Sequence, residues 1–142
     1  MRTTAISVLV LVSLFALLSE AWLAEDAAIT LRAVENLYLT QGPVYNPGEK
    51  TEVFTHPLWF STLVIFRGMG LDSSYVAVIL GLLLSLAGLL LMIRTPARSE
   101  NNEAPFRYLH LIIPFLLAAH PGFRQFGASG MELGLLSVLL GL

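Results

Sequence analysis

Two adjacent carboxylates, Glu25 and Asp26, follow the first long apolar stretch of this chain. A carboxylate at a partly desolvated membrane surface can act as a general base, because weaker hydration makes the charged form a better proton acceptor. The same pair also suits the start of a helix, where Asp26 as N-cap would accept a backbone N–H and Glu25 would add favourable charge. The two interpretations are compatible, since a capped carboxylate keeps a free oxygen.

The composition around this pair is that of a membrane protein. Hydrophobic residues make up 56% of the 142 residues, charged residues 13%, and the mean hydropathy is +0.74. These values predict an integral membrane protein. A net charge of −2 gives no basic surface for nucleic acid, and the absence of cysteine excludes thiolate catalysis. No spacing of His, Asp and Glu suggests a metal cluster, so no metal ligands are predicted.

Four apolar stretches are interpreted as membrane spans, at about residues 3–23, 73–93, 108–120 and 130–142. A helix needs about 20 apolar residues to cross the bilayer. The second stretch meets this without a charge, whereas the third is short and contains Pro114. The predicted fold is therefore all-α, with polytopic transmembrane helices. Because a helix that stops inside the bilayer leaves its last carbonyls unpaired, we expect the chain to be the N-terminal part of a longer protein.

The basic residues near the spans predict the orientation: Arg2, Arg94, Arg98 and Arg107. The positive-inside rule places them in the cytoplasm, so residues 24–72 form an external loop. The first stretch also has the basic start and apolar run of a cleaved secretory signal. It lacks a small-x-small cleavage site, and Trp22 suits an interfacial anchor, so an uncleaved span is favoured.

Within the external loop, apolar residues recur along one helical face: Ala27, Leu31, Val34 and Tyr38. Their i, i+4, i+7, i+11 spacing predicts an amphipathic helix on the membrane surface, with Thr30 and Asn36 elsewhere around it. Gly42-Pro43 is expected to end this helix.

A second loop helix is predicted from Leu58 to Phe66, which is too short to cross the membrane. We expect it to lie in the interface, with Trp59 and Phe60 at headgroup depth and Arg67 at its end. The external loop is therefore predicted to hold two amphipathic interfacial helices.

The second predicted span presents small residues on one face, at Gly81, Ser85 and Gly88. Such a face permits close helix packing. The partner helices are expected outside these residues, in a missing C-terminal part or in another chain.

Four runs of residues follow one another along the chain: Glu25-Asp26-Ala27-Ala28-Ile29-Thr30-Leu31-Arg32, Gly42-Pro43-Val44-Tyr45-Asn46-Pro47-Gly48, Thr55-His56-Pro57-Leu58-Trp59 and Ser129-Gly130-Met131-Glu132. They resemble the first external loop, and a later helix start, of the GT-C glycosyltransferases, nearest to the bacterial arabinofuranosyl- and mannosyltransferase-like branch. The chain departs from that pattern in having Glu25 where an aspartate is usual, Ala28 near an expected aromatic residue, and Leu133 in place of a threonine. Asp26 is therefore favoured over Glu25 as the base.

The resemblance implies an enzyme of the bacterial cytoplasmic membrane. It would transfer a sugar from a polyprenyl-phosphate donor to a hydroxyl of a glycan or lipid-linked acceptor at the outer face, with inversion. A divalent cation or basic groups would stabilise the departing phosphate. The partners implied are the donor, the acceptor and membrane lipids, with no nucleic acid. The chain alone is expected to be inactive, because the donor groove needs further helices.

The resemblance also assigns roles to residues. Asp26 would be the base and Glu25 its partner, and Glu132 would reach the external site, although a helix-capping role for Glu132 is equally open. Arg32 would pair with an acid or the donor phosphate, or lie on a solvated face. The remaining positions would shape the acceptor or donor pocket: Tyr45, Asn46, Glu52 and His56. The alternative is a small non-catalytic membrane protein whose external loop binds a partner.

Overall fold

The computed structural model describes residues 2–49, 51, 53–94 and 109–142, and these residues form seven helices and no strand. The helices are α1 (Arg2–Ser19), α2 (Glu25–Tyr38), α3 (Pro57–Gly68), α4 (Ser73–Arg94), α5 (Leu109–Ala119), α6 (Pro121–Gly127) and α7 (Leu133–Gly141). For this part of the chain the all-α prediction is confirmed.

Among the described residues, one helix, Ser73–Ile93, is long and apolar enough to cross a membrane. The first stretch contributes a shorter apolar helix, Val10–Ser19. Helices α5 and α7 have 11 and 9 residues, so they rise about 17 and about 14 Å, less than the roughly 30 Å of hydrocarbon. The multi-pass arrangement stays a prediction.

The predicted stripe of α2 faces the protein interior. Ala27, Leu31 and Val34 are buried, whereas Tyr38 is 43% exposed and donates its hydroxyl to the carbonyl oxygen of Val64 at 2.7 Å. The helix predicted here is confirmed. The position of its polar residues is not, because Thr30 and Asn36, expected on the other faces of a surface helix, are also buried.

Trp59 and Phe60 of α3 are only 1% and 8% exposed. They are therefore covered by the protein and not exposed to lipid headgroups as expected of interfacial anchors, whereas the depth of α3 in the membrane stays a prediction. Both side chains point into the core formed with Val34 and Leu63, and the Phe60 ring stacks on Phe54 with centroids 4.0 Å apart. Burial of such large rings stabilises the packing of α2 against α3.

An ion pair joins α2 to α3 and α4. Arg67 donates through Nε to Glu35 Oε1 at 2.7 Å and through Nη2 to Glu35 Oε2 at 3.1 Å, and Ser73 Oγ donates to Glu35 Oε1 at 3.2 Å. The hydrogen bonds from Arg67 to the Glu35 carboxylate, and then the charge of that carboxylate, raise the pKa of Arg67. The two-pronged contact adds a geometrically specific link between α2 and α3.

The small-residue face of α4 packs against α6 and α7. A Cβ on Gly134 would collide with the carbonyl oxygen of Gly81, and one on Gly88 would collide with Ser137. Ser85 Oγ donates to the carbonyl oxygen of Gly127 at 2.9 Å. The expectation that the partner helices lie outside these residues is wrong, because α7 fills this face.

Candidate active site

The acid pair opens α2. The N-cap is Ala24, with no side-chain capping bond, so Glu25 and Asp26 occupy the first two helical positions. The expectation of Asp26 as N-cap is therefore wrong. Both residues are exposed, and their charge is favourable at the positive end of the helix dipole. Capping does not occupy either carboxylate.

The segment that leads into α2 runs beside the Ser129-Gly130-Met131-Glu132 motif. The backbone N–H of Trp22 donates to Ala128 O at 3.2 Å, and that of Ala24 donates to Ser129 O at 3.0 Å. Gly130 has a φ of +80°, and a Cβ there would lie 2.9 Å from Leu23 Cδ1. The motif is therefore packed directly behind the start of α2.

Trp59 joins a third motif to this assembly. Its indole Nε1 donates to the carbonyl oxygen of Gly130 at 3.1 Å, across 71 positions of sequence, and the bond is buried. A buried carbonyl without a partner is costly, so this bond holds the motif against α3.

The His56 ring lies between Thr30 of α2 and the carboxylate of Glu132. His56 Nε2 lies 3.2 Å from Thr30 Oγ1, and His56 Nδ1 lies 3.5 Å from Glu132 Oε2. Glu132 is the N-cap of α7 but makes no side-chain capping bond; its carboxylate faces His56 instead, and its role in the site stays a prediction. Its Oε2 is buried and accepts no hydrogen bond from the described residues.

Asp26 lies one helical turn before two residues of interest: Thr30, which contacts His56, and Ile29, which lines an open cleft. Thr30, which contacts His56, lies four residues after Asp26, and Ile29, which lines the cleft, lies three residues after it. Side chains at these spacings are neighbours on the surface of a helix.

The cleft itself has a volume of about 860 Å³ and is lined by residues of α2 and the following loop, among them Ile29, Tyr45, Glu49, Phe54 and Thr55. It is an open depression with an apolar floor and polar groups at several points. Ligand sites commonly combine these two features.

The buried side chain of Asn36 holds the loop that carries Tyr45. Its Nδ2 donates to the carbonyl oxygens of Val44 at 2.7 Å and Tyr45 at 2.9 Å. Asn36 lies eleven residues after Glu25 and seven after Ile29, so all three share one face of α2. The loop that carries Val44 and Tyr45 packs against this face of α2.

Replacing Asn36 with Ala should release this loop, because the two carbonyls lose their donor. We expect a loss of about 1–3 kcal/mol in unfolding free energy and faster cleavage by proteases within residues 40–49, measured by limited proteolysis. Asn46→Ala is the matched control, since Asn46 is exposed and donates only to the exposed Glu49 at 3.1 Å. Equal cleavage rates in the two variants would contradict the role of Asn36.

The other predicted residues are placed as follows. Arg32 is exposed, seven residues after Glu25 on the same helix face, and Asn46 contacts Glu49 at the rim of the cleft. Glu52 lies outside the described residues. Within the described part of the chain, no three His, Asp or Glu side chains lie together as metal ligands.

Sequence reasoning missed Thr30 and Asn36 as contact residues and the indole N–H of Trp59 as a donor to the motif. The one available signal was polar residues within an otherwise apolar helix pattern. Such residues are found on solvated faces as well as in buried contacts.

Two relatives carry the name terminal beta-(1->2)-arabinofuranosyltransferase. The protein of Mycobacterium tuberculosis is 35% identical over 126 residues, which cover 85% of this chain and 20% of the relative. That of Corynebacterium glutamicum is 30% identical over 118 residues, covering 80% of this chain and 16% of the relative. The chain thus spans a fifth or less of the length of these relatives. No protein-family model and no solved structure matches it.

Proposed function

Because the chain is homologous over most of its length to part of the terminal beta-(1->2)-arabinofuranosyltransferases, we propose that it carries the acid-bearing part of a glycosyltransferase active site. The protein transfers a sugar, arabinofuranose by analogy with the names of the relatives, to a hydroxyl of a glycan or lipid-linked acceptor. The donor is a polyprenyl-phosphate sugar, and the reaction takes place at the outer face of the bacterial cytoplasmic membrane.

In this proposal Asp26 is the general base. Its carboxylate takes the proton of the acceptor hydroxyl as the hydroxyl oxygen attacks the anomeric carbon of the donor. The bond from that carbon to the phosphate oxygen breaks, the phosphate leaves with the electron pair, and the configuration inverts. Arg32 lies on the same exposed face of α2 as Glu25, and in this proposal its guanidinium stabilises the negative charge of the leaving phosphate.

One observation carries this proposal. The exposed Asp26 lies one helical turn before Thr30, which contacts His56, and one turn before Ile29 in the open cleft; His56 in turn lies 3.5 Å from Glu132. Thr30, His56 and Glu132, from three separate motifs, are thus in contact, and Thr30 lies one helical turn after Asp26.

The test is a transfer assay with the whole protein that contains this segment. Membranes from cells that express it receive a radiolabelled polyprenyl-phosphate arabinofuranose and an arabinofuranose oligosaccharide. We expect label in the oligosaccharide above the level of control membranes. No transfer to any sugar acceptor would favour the alternative, a non-catalytic membrane protein whose external loop binds a partner.

A further inference from the structure

The cleft beside the acid pair contains groups that suit a neutral sugar. The Tyr45 side chain lines it and is 45% exposed. Glu49 and Thr55 contribute oxygens that can bond hydroxyl groups. We propose that this cleft is the acceptor subsite, which binds a neutral oligosaccharide with one sugar ring against Tyr45. The assignment rests on the proposed function, because the cleft would hold the acceptor whose hydroxyl Asp26 deprotonates.

Tyr45 is held in place before any ligand arrives. The Asn36 side chain bonds the carbonyl oxygens of Val44 and Tyr45, which fixes the backbone while leaving the ring of Tyr45 free to face the cleft. An aromatic side chain offers a large apolar surface at a small cost in conformational entropy. Such a surface suits the apolar face of a sugar ring.

The charge of the cleft favours the acceptor over the donor phosphate. Glu49 lines the cleft, and only its Oε2 is engaged, by Asn46 Nδ2 at 3.1 Å. The other carboxylate oxygen can accept a hydrogen bond from a sugar hydroxyl, whereas it would repel a phosphate. A neutral polyol is therefore the occupant that this lining fits.

The position of the cleft indicates how the acceptor would lie relative to Asp26. Ile29 lines the cleft one helical turn after Asp26, and side chains so spaced lie about 5–6 Å apart at their Cβ atoms. A sugar over Ile29 thus places its terminal hydroxyl within reach of the Asp26 carboxylate. The cleft is open along one side, with a volume of about 860 Å³, so an oligosaccharide can lie along it beyond the reacting sugar.

The test is calorimetric titration of an arabinofuranose hexasaccharide into the full-length protein in lipid nanodiscs. All variants carry Asp26→Asn, so that binding is measured without transfer. We expect Tyr45→Ala to weaken binding about tenfold and Tyr45→Phe to retain it within about twofold, because the ring remains. Tyr75→Ala is the matched control, since Tyr75 is 73% exposed on α4 and does not line the cleft.

Unchanged binding in the Tyr45→Ala protein would overturn the assignment, as would the absence of hexasaccharide binding to the protein with Tyr45 intact. A polyprenyl phosphate titrated into the same variants should bind equally to all of them; weaker binding in the Tyr45→Ala protein would show a donor site and also overturn it. Because these measurements need no turnover, they can fail while the transfer assay succeeds, and the two proposals are tested separately.

Discussion

Asp26→Asn in the whole protein should abolish sugar transfer while leaving the protein folded and in the membrane. Asn has nearly the same size but cannot accept the proton, and loss of a general base typically lowers the rate about 10²–10⁴-fold. The effect on stability should be small, because Asp26 is exposed and makes no capping bond. The measurement is the initial rate of label transfer, normalised to the amount of folded protein in the membrane.

Glu25→Gln is the control for this prediction, because it removes the same charge one residue away, at the first position of the helix. We expect a loss of less than about tenfold, which would represent the weaker electrostatic support of a neighbouring group. A rate for Asp26→Asn within a few fold of the unmodified protein would contradict its role as base. A more severe loss for Glu25→Gln would assign the base to Glu25.

Trp59→Ala should have the largest effect on stability. Trp59 is 1% exposed, and its Nε1 donates to the carbonyl oxygen of Gly130. Truncation leaves a cavity beneath α2 and removes that donor, so we expect a loss of about 3–5 kcal/mol in unfolding free energy. The Ser129-Gly130-Met131-Glu132 motif should also become more accessible, which thermal unfolding and hydrogen exchange of residues 128–132 would measure.

Two conservative variants separate packing from hydrogen bonding at this position. Trp59→Phe keeps an aromatic ring but removes the N–H, and it should cost less, about 1–3 kcal/mol for the unpaired carbonyl of Gly130 together with some lost packing. Trp22→Phe is the control for loss of an indole at an exposed site, since Trp22 is 49% exposed. If the Trp59→Ala and Trp22→Phe proteins have the same melting temperature, a structural role for the contact between Trp59 and Gly130 is contradicted.

The helices within residues 24–72 could be predicted from the sequence because their signal is local. Ala27, Leu31 and Val34 fall at helical spacing, and the structure buries all three. The placement of Trp59 could not be predicted in the same way. A Trp next to apolar residues suits a membrane interface as well as a core, and the residue that decides between them, Gly130, is 71 positions away.

The polar contacts of the site also could not be predicted from local sequence patterns. His56 was selected through the resemblance, but its contacts with Thr30 and Glu132 depend on how α2, α3 and α7 pack. The small residues of α4 predicted close packing correctly, whereas the partner, Gly134 on α7, follows only from the fold. Spacing within one helix is fixed by the helix itself, while contacts between helices are fixed by the whole chain.

The central claim is that Asp26 accepts the proton of the acceptor hydroxyl, and the position of that hydroxyl tests it most directly. The measurement is an electron cryomicroscopy structure of the full-length Asp26→Asn protein with a bound arabinofuranose acceptor. We predict that the terminal hydroxyl lies within about 3.2 Å of the residue 26 side chain, with the next sugar over Ile29 and toward Tyr45. An acceptor whose terminal hydroxyl contacts a different carboxylate, with residue 26 out of hydrogen-bond reach, would contradict the claim.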